Sequence, residues 1–312
     1  MRKMRMKSGM AKWLKPCWRM CCSVAMLNSA PWPFACAKSG QHQGLYNMPR
    51  IALGIQYDGT PYQGWQSQVH RQTVQDVLQD ALSQFATVPL MVQCAGRTDT
   101  GVHGLEQVVH LDVPFERSAN AWVRGVNAFL PDSVAVRWAV AVAPEFHARF
   151  DAFKRTYHYV IYNHQTRSPI WVNRAGWYHK PLDAEKMHLA AQALVGEHDF
   201  SAFRAAQCQA KSPIKTMHAI SVKRIGDLVV VSVTANAFLH HMVRNIVGSL
   251  IYVGTGKQAI DWLAFLLTQQ NRTLSAPTFA SSGLYLAAIH YDQRFGLPVP
   301  NDDVMALLGM AV

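Results

Sequence analysis

Residues 94–110 read CAGRTDTGVHGLEQVVH, and the octapeptide GRTDTGVH at the centre is unusual between two apolar runs. Asp99 lies beside Arg97 and between two threonines, and Gly96 and Gly101 flank the group. Glycine permits positive φ angles and lets a backbone approach a ligand closely, and arginine can hold an anion through two hydrogen bonds. The stretch is either a turn capped by Asp99 or a loop with a reactive carboxylate, and spacing alone leaves both open.

The histidines of the sequence do not suggest a metal site. His103 and His110 follow the aspartate, but no second carboxylate or cysteine stands at a suitable spacing. His240 and His241 are adjacent within FLHHMVRNIVGSLIYVG (238–254), which has helical periodicity. Because neighbouring residues on a helix point about 100° apart, we expect this pair to hold no metal.

Charge and cysteines are concentrated at the start of the chain. Of the 30 lysines and arginines, 9 lie in residues 1–50, which contain no acid, so the remaining 21 nearly balance the 19 acids. The formal charge of +11 therefore does not by itself indicate an RNA-binding body. Four of the six cysteines lie there too, and the absence of a regular framework favours reduced thiols in a cytoplasmic protein. No apolar run approaches the roughly 18 residues that a membrane helix needs.

Residues 1–47 carry a basic head with no clear periodicity. An export signal is one interpretation, but the apolar patch at 23–27 is short. A basic RNA-binding tail is another. We favour a third, in which translation begins at Met48 and the head is absent from the working protein or disordered.

Apolar periodicity predicts two α+β parts, at 48–150 and 151–295, and a loosely attached tail at 296–312. The predicted strands are 51–57, 90–95, 107–113, 133–142, 154–163, 283–292 and the arms of a hairpin around Gly226-Asp227, 216–224 and 228–236. The predicted helices are 73–85 with Thr73 as its cap, Asp183 to near Gly196, 238–254 and 259–269. The similar order of the two parts suggests an internal duplication.

The octapeptide closely resembles the catalytic motif of the tRNA pseudouridine synthase A family. Five further blocks look like that family, in order and at fitting separations, so the resemblance covers residues 49–292. The blocks are YDGTPYQGWQSQ (57–68), FHARFDAFKRTYHYVIYN (146–163), GEHDFSAFRAAQC (196–208), NAFLHHMVRNIVGSL (236–250) and GLYLAAIHYD (283–292).

The resemblance implies that Asp99 is the catalytic nucleophile. The reaction breaks the C1′–N1 bond of uridine, turns the uracil over and joins C5 to C1′. A carboxylate can add covalently to sugar or base, or stabilise charge while the base is detached, and it can serve proton transfer from C5. No redox step or hydrolysis occurs, so the resemblance implies neither cofactor nor metal.

Other site residues follow from matching positions. Arg244 matches the arginine that pairs with the aspartate; a lone buried arginine would be costly, although a surface arginine is the ordinary alternative. Tyr157 matches the tyrosine that stacks on the target base, and Leu284 would close the other side of the uracil, although core positions would look the same. Arg97 is the remaining candidate for substrate binding.

RNA contacts are predicted mainly in FHARF (146–150), which corresponds to a family segment associated with base flipping. Its candidates are Phe146, His147, Arg149 and Phe150. Arg117 and Arg155 are candidates for phosphate contacts, followed by Lys154, Arg204, Lys211 and Lys215. We expect Asp58 and Trp65 to be structural.

The implied fold is α+β, with two related subdomains, each a mainly antiparallel sheet backed by helices, and a catalytic cleft between them. Asp99 would come from the first subdomain and the other catalytic residues from the second. The family works as a homodimer that grips one tRNA, and its substrates are uridines 38, 39 and 40 of the anticodon stem-loop, recognised by shape.

Three rival functions remain at this stage. A non-catalytic RNA-binding module would not need Asp99, Arg244 and Tyr157 together. A pseudouridine synthase with another RNA target would carry the same catalytic residues. A phosphodiesterase using Asp99 would need a metal or a second acid.

Overall fold

The computed structural model describes residues 48–301, so the predictions for the head and for most of the tail lie outside the described residues. Within this range the strands are β1 Arg50–Tyr57, β2 Gln93–Cys94, β3 His103–Asp112, β4 Val134–Val142, β5 Lys154–Asn163, β6 Gly176–Tyr178, β7 Gly196–Asp199, β8 Ile214–Ile225, β9 Leu228–Ala235 and β10 Leu284–His290. The α-helices are α1 Val74–Ala86, α2 Ala119–Asn127, α3 Ala184–Ala191, α4 Met242–Gly254 and α5 Trp262–Gln269.

The ten strands form one sheet with the order β4-β1-β3-β10-β5-β9-β8-β7, with β2 beside β3 and β6 beside β5. Most neighbours are antiparallel, and β10 runs parallel to β3 and β6 parallel to β5. The short β10–β3 pairing matches Tyr285 with His103 and Leu286 with Gly104. The last strand of the chain therefore lies beside the strand that follows GRTD.

Helices cover the two ends of this sheet separately. Leu78 of α1 and Trp122 of α2 pack with apolar residues of β1, β3 and β4. Met187 of α3, Ile246 of α4 and Leu263 of α5 pack with those of β5, β8 and β9. The mainly antiparallel α+β fold is thereby confirmed, whereas the division into two subdomains near residue 150 stays a prediction.

Local signals placed most elements correctly. Thr73 accepts a hydrogen bond from the Asp76 N–H at the start of α1, and Asp183 accepts one from Lys186 at the start of α3. The hairpin also turns at Gly226-Asp227, since Ile225 pairs with Leu228. Predicted strand 90–95 is wrong in length, because only Gln93–Cys94 pairs with β3.

Helix α2 was not predicted; its sequence ANAWVRGVN is short and contains a glycine. The structure shows why glycine stands there: a Cβ on Gly125 would meet the Phe85 ring of α1. Ser118 caps the helix by accepting a hydrogen bond from Ala121. No helix among residues 48–301 is long and apolar enough to cross a membrane.

Candidate active site around Asp99

The loop that presents Asp99 is held in place by hydrogen bonds from the YDGTPYQGWQSQ block (57–68). The Tyr57 hydroxyl lies 2.8 Å from Thr98 Oγ1, and the backbone N–H of Trp65 donates to the Thr98 carbonyl at 3.0 Å. A Cβ on Gly64 would lie 2.9 Å from that carbonyl oxygen, so only glycine permits this approach. The block fixes the backbone of the loop, which fits the expectation that Trp65 is structural.

The motif is also a turn in its own right. Gly101 has a φ of +75°, and the Val102 N–H donates to the Asp99 carbonyl at 3.1 Å. Gly96, in contrast, does not occupy the positive-φ region. The backbone of Asp99 closes the turn, while its side chain points away to residues of the second part of the chain.

Three cationic or imidazole groups surround the Asp99 carboxylate. Arg244 Nη1 donates to Asp99 Oδ2 at 3.0 Å across 145 positions of sequence. His240 Nε2 lies 3.3 Å from Oδ1, and His241 Nε2 lies 3.2 Å from Oδ2. Both carboxylate oxygens thus have partners, and the structure brings Asp99 and Arg244 together as the resemblance implied.

The helical argument that set His240 and His241 aside was wrong. Helix α4 begins only at Met242, and His241 before it has a left-handed backbone with a φ of +60°. The two rings therefore leave the helix pattern and lie 3.9 Å apart between centroids, both facing Asp99. No periodicity in the sequence predicts a left-handed histidine, so sequence reasoning had no signal for this pair.

The electrostatic setting favours a neutral His241. Burial lowers its pKa, the Asp99 carboxylate opposes this, and the nearby His240, Arg244 and Arg272 lower the pKa further. A neutral imidazole can donate from only one nitrogen. Nε2 of His241, 3.2 Å from Asp99 Oδ2, can donate to that oxygen in one tautomer and offers a lone pair in the other.

Arg244 is fixed from a second direction by the segment that leads into β10. Its Nε donates to the Phe279 carbonyl at 2.9 Å, and the Phe279 N–H donates back to the Arg244 carbonyl at 3.3 Å. The Tyr159 hydroxyl holds the same segment through the Ala280 carbonyl at 2.8 Å. The guanidinium consequently has little freedom to leave the carboxylate.

Tyr157 and Leu284 lie on the neighbouring strands β5 and β10. Leu286 pairs with Tyr157 and Leu284 with Tyr159, so Leu284 lies diagonally across from Tyr157. Tyr157 packs edge-on against Phe238 with ring centroids 4.9 Å apart. Burial raises the pKa of the Tyr157 phenol, Arg155 opposes this, and the Asp99 carboxylate raises it further, so the phenol stays protonated near Asp99.

A second group of candidates lies in residues 146–153, which we call the outer loop. His147 Nδ1 accepts from the backbone N–H of Arg149 and more weakly from that of Phe150. The Arg149 guanidinium lies 5.7 Å from the Phe150 ring centroid, and Phe150 is 74% exposed. This loop presents two aromatic side chains, Phe150 and the 55% exposed Phe153, and the Arg149 cation to solvent.

Two RNA-contact predictions conflict with the structure. Phe146 is fully buried and packs against His110, Tyr291 and Phe295. Arg155 is not free for a phosphate, since its terminal nitrogens donate to the carbonyls of Ala152, Asn236, Arg149 and Ala95. We therefore correct Arg155 to a group that ties the outer loop to the start of the Asp99 loop.

The other predicted cations lie at the surface. Arg97 is exposed beside Asp99. Arg117 is exposed but stacks over Phe85 and Phe115 at the far end of the sheet. Arg204 donates to the carbonyls of Cys208 and Ala210, and Lys215 donates to those of Ser212 and Ile214. Of the predicted cations, Arg97 lies in the Asp99 loop, and Arg149 lies on the outer loop.

This geometry offers a fixed carboxylate, a fixed guanidinium and an aromatic ring at one place. The carboxylate can act as a nucleophile, and the cation can stabilise its charged form. Asp99, His240 and His241 also form the one group of three or more potential metal ligands that residues 48–301 contain.

Comparison with known proteins assigns this arrangement. The sequence model of the family described as tRNA pseudouridine synthase matches residues 54–151 and 190–292, which include Asp99, Arg244 and Leu284. The chain belongs to the tRNA pseudouridine synthase family.

Curated relatives in this family are similar over nearly their whole length. The tRNA pseudouridine synthase A of Herminiimonas arsenicoxydans is 60% identical over 264 residues, which is 83% of this chain and 96% of the relative. That of Janthinobacterium sp. (strain Marseille) is 58% identical over 255 residues, 80% of this chain and 94% of the relative. One solved structure, of a Cbf5-Nop10-Gar1 complex, is only loosely similar, with a TM-score of 0.35 at 13% identity over 76% of this chain and 48% of that chain.

Proposed function

We propose that this protein converts uridine to pseudouridine at positions 38, 39 and 40 of tRNA, with Asp99 as the nucleophile. The observation that carries the proposal is the Asp99–Arg244 ion pair, with 3.0 Å between Oδ2 and Nη1. Family membership supplies the reaction class, and the positions within tRNA come from the resemblance to the synthase A family. A non-catalytic RNA-binding module would gain nothing from this pairing.

The pair performs two tasks in the reaction. Arg244 pairs with the Asp99 carboxylate and orients it, so that an oxygen can attack the sugar or the base of uridine. After the C1′–N1 bond breaks, the carboxylate or a neighbouring group accepts the proton from C5 once C5 has joined C1′. The atoms of uridine are conserved, so the step needs no second substrate.

Tyr157 and Leu284 are the proposed walls of the uracil site. The Tyr157 ring supplies a flat face for stacking, and the Leu284 side chain supplies an apolar contact opposite. Arg97, exposed beside Asp99, is placed to contact a phosphate or the base. The outer loop, through His147, Arg149 and Phe150, would hold the space that an extruded nucleotide leaves.

The assembly follows from the same family reasoning. Residues 51–312 carry 21 lysines and arginines against 19 acids, so binding of tRNA requires local cations on a shared surface rather than overall charge. We infer a homodimer that binds one tRNA across both subunits and works in the cytoplasm. We further propose that residues 48–150 and 151–295 act as two subdomains with the catalytic cleft between them.

Release of tritium from tRNA labelled with tritium at uridine C5 tests the proposal. Wild-type protein should release tritium, because C5 loses its proton when it joins C1′, and Asp99→Ala should reduce the rate at least about 1,000-fold. Asp132→Ala, an exposed aspartate before β4, is the matched control and should keep the full rate.

Two results decide between the candidates. Pseudouridine mapping of the product should place the modification at positions 38, 39 and 40, and a modification elsewhere would select a synthase with another RNA target. Wild-type protein that binds tRNA but releases no tritium would be a non-catalytic binding module.

A further inference from the structure

Three potential metal ligands, Asp99, His240 and His241, lie close together. We call these residues, together with Arg244, the Asp99 pocket. His240 Nε2 lies 3.3 Å from Asp99 Oδ1, His241 Nε2 lies 3.2 Å from Oδ2, and one ligand atom from each residue lies within 4.8 Å of the others. Two ligands on a tetrahedral zinc ion with bonds of about 2.0–2.1 Å are separated by roughly 3.3 Å. The ligand atoms therefore stand near coordinating separations, although the same distances also suit hydrogen bonds.

We propose that Asp99, His240 and His241 form a binding site for a divalent transition-metal ion of the Zn²⁺ class, and that the bound ion inhibits the protein by occupying the catalytic carboxylate. The binding half of this proposal stands on the geometry alone. The inhibition half rests on the proposed function.

The chemistry of the three ligands selects the class of ion. Two imidazole nitrogens and one carboxylate oxygen suit Zn²⁺, Ni²⁺ and Cu²⁺, whereas Mg²⁺ and Ca²⁺ prefer sites made of oxygen ligands. A neutral imidazole can carry its single proton on Nδ1, which frees Nε2 for a metal. Three protein ligands leave a fourth tetrahedral position for water.

The site is open to ions from solution. The side chains of Asp99, His240 and His241 are 26%, 36% and 27% exposed. An ion can therefore reach the ligands without unfolding the pocket, and a uridine entering the same pocket would compete with it.

Arg244 opposes binding and sets its strength. Its Nη1 lies 3.0 Å from Asp99 Oδ2, so Oδ1, which faces His240, is the oxygen without a guanidinium partner. An ion on Oδ1 would be repelled by the nearby positive charge, in an environment where water screens part of the repulsion. We therefore expect reversible binding, and tighter binding when Arg244 is neutralised.

Calorimetric titration with ZnCl2 tests the binding half. The protein is the untagged full-length chain in a buffer without chelators, compared with His240→Gln/His241→Gln, whose amides keep an N–H toward Asp99. Cysteines elsewhere bind zinc equally in both proteins, so the difference in the number of ions bound per chain reports binding at Asp99, His240 and His241. The double variant should bind one ion fewer, and each single variant should bind that ion at least about tenfold more weakly.

Two further variants are titrated in the same way. His179→Gln, an exposed histidine beside β6, should bind as many ions as wild type. Arg244→Gln should bind the site ion more tightly than wild type. Equal numbers of ions bound by wild type and the double variant, with both proteins folded by circular dichroism, would overturn the proposal.

Inhibition is measured separately by tritium release. Zinc should slow wild-type protein at the concentration that fills the site, higher tRNA concentrations should relieve the inhibition, and EDTA should restore the rate. Full activity with the calorimetric site filled would overturn the inhibition half. Failure of the proposed function would appear differently, as no tritium release in metal-free buffer, while the titration would still report the site.

Discussion

The Asp99 pocket and the outer loop differ in how their side chains are held. In the pocket, the charged groups satisfy one another across 145 positions of sequence, and the Asp99 and Arg244 side chains are 26% and 16% exposed. In the outer loop, hydrogen bonds from distant residues hold only the backbone, as where His110 accepts from the Ala148 N–H, whereas the Phe150 ring is 74% exposed. Groups for chemistry are fixed by the fold, whereas groups for contact with a large partner stand free of it.

Apart from the loss of Asp99 itself, the largest effect should come from replacing Arg244. Arg244→Gln should lower the maximal rate of tritium release by about 100-fold, because the loss of a charged hydrogen bond of about 2–3 kcal/mol deprives the Asp99 carboxylate of its cationic partner. Arg244→Lys should recover part of that loss.

The control for charge is Arg71→Gln, which removes the exposed Arg71–Asp80 pair at the surface and should leave the rate unchanged. An Arg244→Gln protein that is folded and as fast as wild type would show that the ion pair does not serve catalysis.

The anchor of the outer loop should be sensitive to acid. His110 lies buried beneath the loop, where its Nδ1 accepts from the Ala148 N–H at 3.1 Å. Burial, with help from His147 and Arg50, lowers the pKa of His110 to about 4, against about 6.5 in the unfolded chain. Between these values the unfolded state binds a proton that the folded state does not, so stability is complete above about pH 6.5 and falls as the pH falls toward 4.

Urea unfolding between pH 7 and pH 4 measures this effect. At about 1.4 kcal/mol per pH unit, His110 should account for at most about 3 kcal/mol of the lost stability. Between pH 7 and pH 4, the free energy of unfolding of His110→Gln should fall by up to about 3 kcal/mol less than that of wild type. An identical dependence in the variant would mean that the imidazole titrates normally.

A smaller effect should follow from removing the exposed ring of the outer loop. Phe150→Ala should raise the KM for tRNA by about five- to tenfold with little change in kcat, because a lost stacking contact is worth about 1–3 kcal/mol before solvent compensation. Phe129→Ala, a 48% exposed ring elsewhere, is the control. A fall in kcat with an unchanged KM would place Phe150 in the chemistry instead.

Sequence reasoning was most successful where the residues of one feature are contiguous in the chain. GRTDTGVH identified the turn and Asp99, and RNIVG placed Arg244 on an apolar helix. The pairing of the two could be inferred only by resemblance, since nothing in the local pattern joins residues 145 positions apart. The structure adds the cause: β10 returns to lie beside β3, which brings α4 and its preceding loop over Asp99.

The failures have a common physical origin. His240 and His241 were set aside as neighbours on one helix, whereas the helix begins only after His241, whose backbone is left-handed with a φ of +60°. Phe146 was predicted to contact RNA from the resemblance of FHARF to a base-flipping segment, and Arg155 was predicted to contact phosphate because it is basic. Their partners, such as His110 and Ala95, come from distant strands that the sequence pattern does not bring together.

The most direct test compares substrates that differ only in base pairing. Two tRNAs are labelled at uridine 39, one with that uridine paired in the anticodon stem and one with its partner replaced so that it is unpaired. Phe150→Ala should slow tritium release more from the paired than from the unpaired tRNA, because only the paired base must be extruded. Arg244→Gln should slow release from both tRNAs by the same factor. Equal slowing of both tRNAs by Phe150→Ala, or selective slowing by Arg244→Gln, would contradict the division between a chemical pocket and an outer loop that delivers the base.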